Sequence, residues 1–130
     1  MGISKLVTKN PEFHVTPLEK IVIENTEVKI QLDDIDENRW EIQFSPYQAV
    51  NVTAIDCTFA HDYFNSDCYD RNGIFHRYLL EIEKSEWVDR LQNKQVDKSS
   101  DLLTKSKHYV LPLQDIVVEV LAWNITIVKL

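Results

Sequence analysis

Glycine is scarce in this chain of 130 residues, with 2 copies, and neither the 4 prolines nor the 2 cysteines fall in a tract. So little glycine leaves no Gly-rich phosphate loop, and the composition excludes a collagen, a flexible linker or a low-complexity segment. No run approaches the roughly 18 apolar residues needed to cross a bilayer. The opening Met-Gly-Ile-Ser-Lys-Leu-Val-Thr-Lys-Asn has no apolar core of a signal peptide, so a cytoplasmic chain without membrane contact is expected. Gly2 is not followed by the Ser or Thr at the sixth position that myristoylation requires, because Leu6 stands there. The nucleophile elbow Gly-x-Ser-x-Gly and the zinc motif His-Glu-x-x-His are missing too. In a reducing compartment Cys57 and Cys68 are expected as free thiols. The triplets Asn51-Val52-Thr53 and Asn124-Ile125-Thr126 then read as strand rather than as glycosylation sites.

What is present, 44% hydrophobic and 27% charged residues, suits a single globular domain over residues 1–130. A net charge of −7 opposes a nucleic-acid backbone, so direct nucleic-acid binding is not expected. The acidity is uneven. Residues 1–65 carry 5 basic and 11 acidic groups against 9 and 10 in the remainder, and between Asp33 and Asp70 nine acids face Arg39 as the lone basic residue before Arg71.

A period of two dominates the chain, as half-buried strands require. Val28, Ile30 and Leu32 alternate with Lys29 and Gln31, and Trp40, Ile42 and Phe44 with Glu41 and Gln43. The polar stretch Asp33–Asn38 between them makes a hairpin with an acidic tip. Glu19–Ile23 reads as a further strand turning at Asn25-Thr26, while the first seventeen residues read as irregular around Pro11 and Pro17. After Pro46 the segment Ala49–Cys57 suits another strand. Thr58–Asn72 mixes aromatics with acids and reads as a long loop, a kind of segment that is often functional. A strand is expected from Gly73 to Glu83, with Ile74, His76, Tyr78, Leu80 and Ile82 on one face and Phe75, Arg77, Leu79, Glu81 and Glu83 on the other. Ser85 can cap a helix over about Glu86–Gln95, with Trp87, Val88 and Leu91 as its apolar stripe. Asp101–Lys105 suits a turn. Three strands follow, at His108–Leu111, Ile116–Trp123 and Ile125–Leu130, the first turn at Gln114-Asp115 and Pro112 confining its strand to an edge or boundary. The expected fold class is α+β: a mainly antiparallel sheet, as a sandwich or half-barrel, with one short helix.

Candidate chemistry is thin. Cys57, His61, Cys68 and His76 are zinc-ligand types, but their spacings lack the close pairs of structural zinc sites, and His76 falls on an apolar strand face. Asp34, Asp36 and Asn38 match the start of a calcium loop, which then fails at Arg39 and Ser45. No metal or other cofactor is expected. Asp-His pairs such as Asp56 with His61 or Asp62 with His76 are of the base-and-orienter type, yet four histidines and many acids always supply such pairs.

The long loop does offer aromatic anchors in an acidic surround, the pattern of an interface in which buried rings carry affinity and charge steers the partner. Asp33, Asp34, Asp36 and Glu37 at the hairpin tip, with Asp62, Tyr63, Asp67, Tyr69 and Asp70, are therefore the candidate partner-binding residues. Ser85-Glu86-Trp87 opening the helix, His108-Tyr109-Val110-Leu111, and Ile116 through Ala122 in a small acidic β-rich domain resemble the small bacterial immunity proteins. That resemblance implies a non-enzymatic inhibitor docked on a toxin domain, often a basic nuclease. It transfers no binding residue. Two other classes stand beside it: a small metal- or ligand-binding enzyme using His61, Asp62 and His76, and a structural subunit of an assembly, with homo-oligomerisation left open.

Overall fold

The structure is a computed structural model that describes residues 3–8, 10–13, 19–54, 57, 68, 69, 71–73, 76–97 and 99–130. Two strands organise it. β4 runs over Arg39–Ala54 and β7 over Ile116–Lys129, and they pair antiparallel from Trp40↔Lys129 to Ala54↔Ile116. At one end of this ladder β3 (Glu27–Asp33) and β2 (Lys20–Glu24) extend the sheet beyond β4. At the other end β6 (Lys107–Pro112), β5 (Leu80–Glu83) and β1 (Ile3–Leu6) extend it beyond β7. The result is one seven-stranded sheet in the order β1-β5-β6-β7-β4-β3-β2. With the helix α1, Glu86–Lys94, this is the expected mainly antiparallel α+β class, with all seven strands in one sheet.

Alternation explains the best-formed part. Val28, Ile30 and Leu32 meet Phe44, Ile42 and Trp40 across the β3–β4 pair, and all of these but the half-buried Trp40 are buried. Their polar alternates form the outer face, where Gln31 and Gln43 both donate to Glu41, at 3.1 and 2.6 Å, and hold its carboxyl below the usual range. The inner face joins Val118, Val120, Ala122, Tyr109, Leu111 and Leu79 in one core. Burial pushes the Tyr109 phenol up to about 12.

Four expectations are corrected. The segments on either side of Pro46 belong to a single strand of 16 residues. Proline removes a ladder donor, and the chain accommodates it where the β4–β7 register shifts, between Tyr47 and Ala49. Asn124 likewise does not turn the chain: it pairs with Ser45, so two C-terminal strands replace the expected three. The expected break has a residue, because Ala122 and Ile125, three positions apart, both pack into the same core and strict alternation is interrupted between them. The strand expected from Gly73 is the short β5; Gly73 itself lies in a turn with φ +77°, a backbone suited to glycine.

The fourth correction concerns the N-terminal segment, whose described residues include the strand β1 and a bridging residue, Phe13, while Pro17 lies outside the described residues. Phe13, 1% exposed, forms β-bridges to both Asp34 and Arg77, and its N–H donates to the Arg77 carbonyl at 2.8 Å. The segment that supplies β1 at one margin of the sheet and β2 at the other thus touches both margins at Phe13, and the sheet curls around that ring. On the opposite face Leu80, Ile82, Val110, Val117 and Cys68 form a second, smaller core. The cysteines are free thiols, Cys57 exposed and Cys68 buried.

Candidate functional site

The acidic hairpin tip is held by Asp34, the residue that follows β3. Asp34 is 6% exposed. Its Oδ1 accepts the N–H groups of Asp36 and Asn38, each at 2.9 Å, and its Oδ2 accepts the Trp40 indole N–H at 2.7 Å. The main chain closes the same turn, with Asp34 N–H donating to Asn38 O and Glu37 N–H to Asp34 O. Glu37 takes a φ of 65°, a left-handed conformation that costs a side-chain-bearing residue energy unless its surroundings fix it. The Ile35 N–H donates to the Glu12 carbonyl, which moors the tip to the N-terminal segment. Burial would raise the Asp34 carboxyl, but the bonds from Trp40, Asn38 and Asp36 outweigh it and hold the group below its usual value.

The four acids of the tip therefore divide. Asp34 is spent on holding the loop, and Asp33 is paired with Arg39 at 3.1 Å. Asp36 and Glu37 stand exposed, and between Asp34 and Asp36 the Ile35 side chain is 52% exposed. Tyr69 is exposed. Asp62, Tyr63, Asp67 and Asp70 lie outside the described residues, as do His61 and Asp56. His76 is half-buried, with Nδ1 2.8 Å from Glu12 Oε2. The Tyr78 hydroxyl, 3.5 Å from the other oxygen of Glu12, is pushed up by burial and by that carboxylate. Among the described residues no group of three or more His, Cys, Asp or Glu side chains is arranged to hold a metal ion.

Sequence reasoning missed a polar relay under the helix. Ser85 caps α1, its Oγ accepting the Val88 N–H at 3.2 Å. The same Oγ lies 2.7 Å from His108 Nδ1, and His108 Nε2 lies 2.8 Å from Glu119 Oε1. Asn51 reaches the other Glu119 oxygen at 3.4 Å. Trp87 meets the His108 ring edge-on at 5.2 Å. Ser, His and Glu are the residue types of a hydrolytic triad, but all three are between 5 and 7% exposed and the hydroxyl already serves the helix cap. One hydrogen bond joins the Ser85 hydroxyl to His108 Nδ1 and a second joins His108 Nε2 to the Glu119 carboxyl, so both ring nitrogens are partnered. The relay stitches the start of α1 to β6, β7 and β4, satisfying polar groups that burial would otherwise leave costly. His108 opens an apolar run in the sequence, and only the β6–β7 register brings Glu119 beside it.

At the far end of α1, Gln48, Leu91, Lys94, Gln95, Leu102 and Leu103 line a shallow groove of about 320 Å³. The Trp123 indole N–H donates to the Leu102 carbonyl at its rim, under the Lys105 ammonium, which sits 4.9 Å from the ring centre. Among the described residues no helix is long and apolar enough to cross a membrane. Comparison of the chain with protein-family models, with curated proteins and with solved structures gives no match.

Proposed function

We propose that this protein is a non-enzymatic, protein-binding inhibitor of the immunity type, docking on a basic toxin domain through the β3–β4 tip. The observation that carries the reading is the construction of that tip: an exposed Ile35 beside the exposed acids Asp36 and Glu37, on a loop that Asp34 holds in one shape. A preformed loop loses little conformational entropy on binding. Exposed carboxylates around an apolar anchor speed encounter with a cationic surface and disfavour acidic partners. Ile35 supplies the apolar contact that a partner pocket would desolvate. Asp33 contributes mainly through its pair with Arg39, and Tyr69 extends the contact set.

The test is affinity capture of the tagged protein from lysate of its native host, eluted by a salt gradient, beside an Asp36→Lys/Glu37→Lys variant and an Ile35→Asp variant. A basic polypeptide held in near-equal amount by the native chain, and released at clearly lower salt from both variants, is the expected result. Equal retention by all three, or no polypeptide retained, overturns the assignment. The substituted side chains make none of the bonds that fix the loop, so all three proteins should share one melting temperature.

A further inference from the structure

The two margins of the lower half of the sheet differ. β2 is short and ends in Lys20 and Glu24, charges of the kind that protect strand edges from pairing. The opposite margin is the C-terminal half of β7, because β6 pairs with β7 only as far as Ala122. The direction of its main-chain groups follows from two bonds. Leu130 N–H donates to Arg39 O across β4–β7, and Asp34 N–H donates to Asn38 O across β3–β4. Alternation along the antiparallel ladders then turns Asn124, Thr126 and Val128 toward β4, and the N–H and C=O groups of Ile125, Ile127 and Lys129 away from it. Among the described residues no hydrogen bond meets those outward groups. From Trp123 to Val128 this edge carries no charge, proline or glycine, which leaves it without the usual protection of an open strand.

We propose that this edge is the contact of a symmetric dimer, in which residues 123–129 of two copies pair antiparallel about a two-fold axis at Thr126. That register sets Ile125 opposite Ile127 of the second copy and the reverse, so the outward groups of each meet and bond. It sets Thr126 opposite Thr126, a favourable cross-strand pair, and Asn124 opposite Val128, which is 39% exposed here. Ile125 and Ile127 are partly buried against their own core, and the second strand covers more of each. A second copy fits better than a foreign strand because Ile125-Thr126-Ile127 is symmetric about the axis, so its β-branched residues complement each other in this register, while Lys129, the one charge of the segment, falls at its end opposite Trp123. The contact is small beside the about 800 Å² per partner of a standard interface. A weak, concentration-dependent association follows, which a dilution series can read.

Sedimentation equilibrium or light scattering over such a series reads the result directly. The native chain is expected to pass from 15.3 kDa toward twice that mass as concentration rises. Thr126 is exposed and its N–H faces β4, so Thr126→Lys keeps the fold, shown by an unchanged circular dichroism spectrum and melting temperature. It places like charges on the axis and should weaken association about tenfold. An equimolar mixture of Thr126→Lys and Thr126→Glu should regain the dimer. A native chain that stays monomeric to millimolar concentration overturns the proposal, as does a Thr126→Lys protein that associates like the native one.

Discussion

Replacing Asp34 tests how the tip is held. Asp34→Ala removes one carboxylate that serves three donors: two main-chain N–H groups and the Trp40 indole. A hydrogen bond to a charged acceptor is worth about 1.5–3 kcal/mol. The three do not add, because water can reach the Asp36 and Asn38 N–H groups once the side chain is gone, whereas the half-buried indole is harder to satisfy. The expected loss is about 2–4 kcal/mol, or about 8–16 °C in Tm for a domain of this length. Asp34→Asn should lose about half as much, since one amide oxygen still accepts the main-chain donors while its NH2 opposes the indole. The pH dependence has a fixed sign. A carboxyl held below its unfolded value stabilises the protein above that value, and the contribution is lost as pH falls through the ordinary carboxylate range and below it. Urea unfolding from neutral to acid pH should therefore show the native and Asp34→Asn curves converging at the acid end. A loss under about 0.5 kcal/mol for Asp34→Ala, far below the cost of a bond to a charged acceptor, or curves that stay parallel, would refute the reasoning.

Two further outcomes test the interior. Ser85→Ala removes the helix cap and leaves His108 Nδ1 without its partner, so urea unfolding should register a loss of about 2 kcal/mol; an effect of a few tenths would mean that water replaces the hydroxyl in the relay. A thiol reagent such as a maleimide should modify Cys57 at once and Cys68 only in denaturant, and two fast-reacting thiols in the native protein would contradict the burial of Cys68 beneath Leu80 and Val110.

The β3–β4 hairpin, the helix with its Ser85 cap and the turn at Gln114-Asp115 were legible in the sequence because each rests on neighbours: alternating polarity, a capping hydroxyl, short turn-forming side chains. The polar relay and the curl at Phe13 were not, because their partners lie far apart in the chain. Nothing local distinguishes Glu119 from any other acid in a strand until the β6–β7 register sets it beside His108. Pro46 and Asn124 read as boundaries for a sound reason, since both favour interruption, and the structure answers with a register shift and a break in alternation instead of a turn. The acidic tip was legible as a cluster but not in its division of labour. Asp34 continues the buried alternation of Val28, Ile30 and Leu32, and its three donors, Trp40 among them, lie beyond it in the loop and the next strand, so the cluster alone does not single it out.

The ladder between β4 and β7 has a consequence for how the protein is made. Its partners are far apart in the chain, so its closure carries a large loop entropy and belongs among the slower folding events. During synthesis the β2–β3–β4 meander leaves the ribosome first and must wait, with one flank of β4 bare, until Ile116–Lys129 has been translated. The apolar inner faces of Ile42 and Phe44 meet only part of their final surroundings in that interval. A chaperone that recognises unpaired strands would find its best target on this half-made sheet, and a slow stretch of translation before β7 would prolong the risk of aggregation.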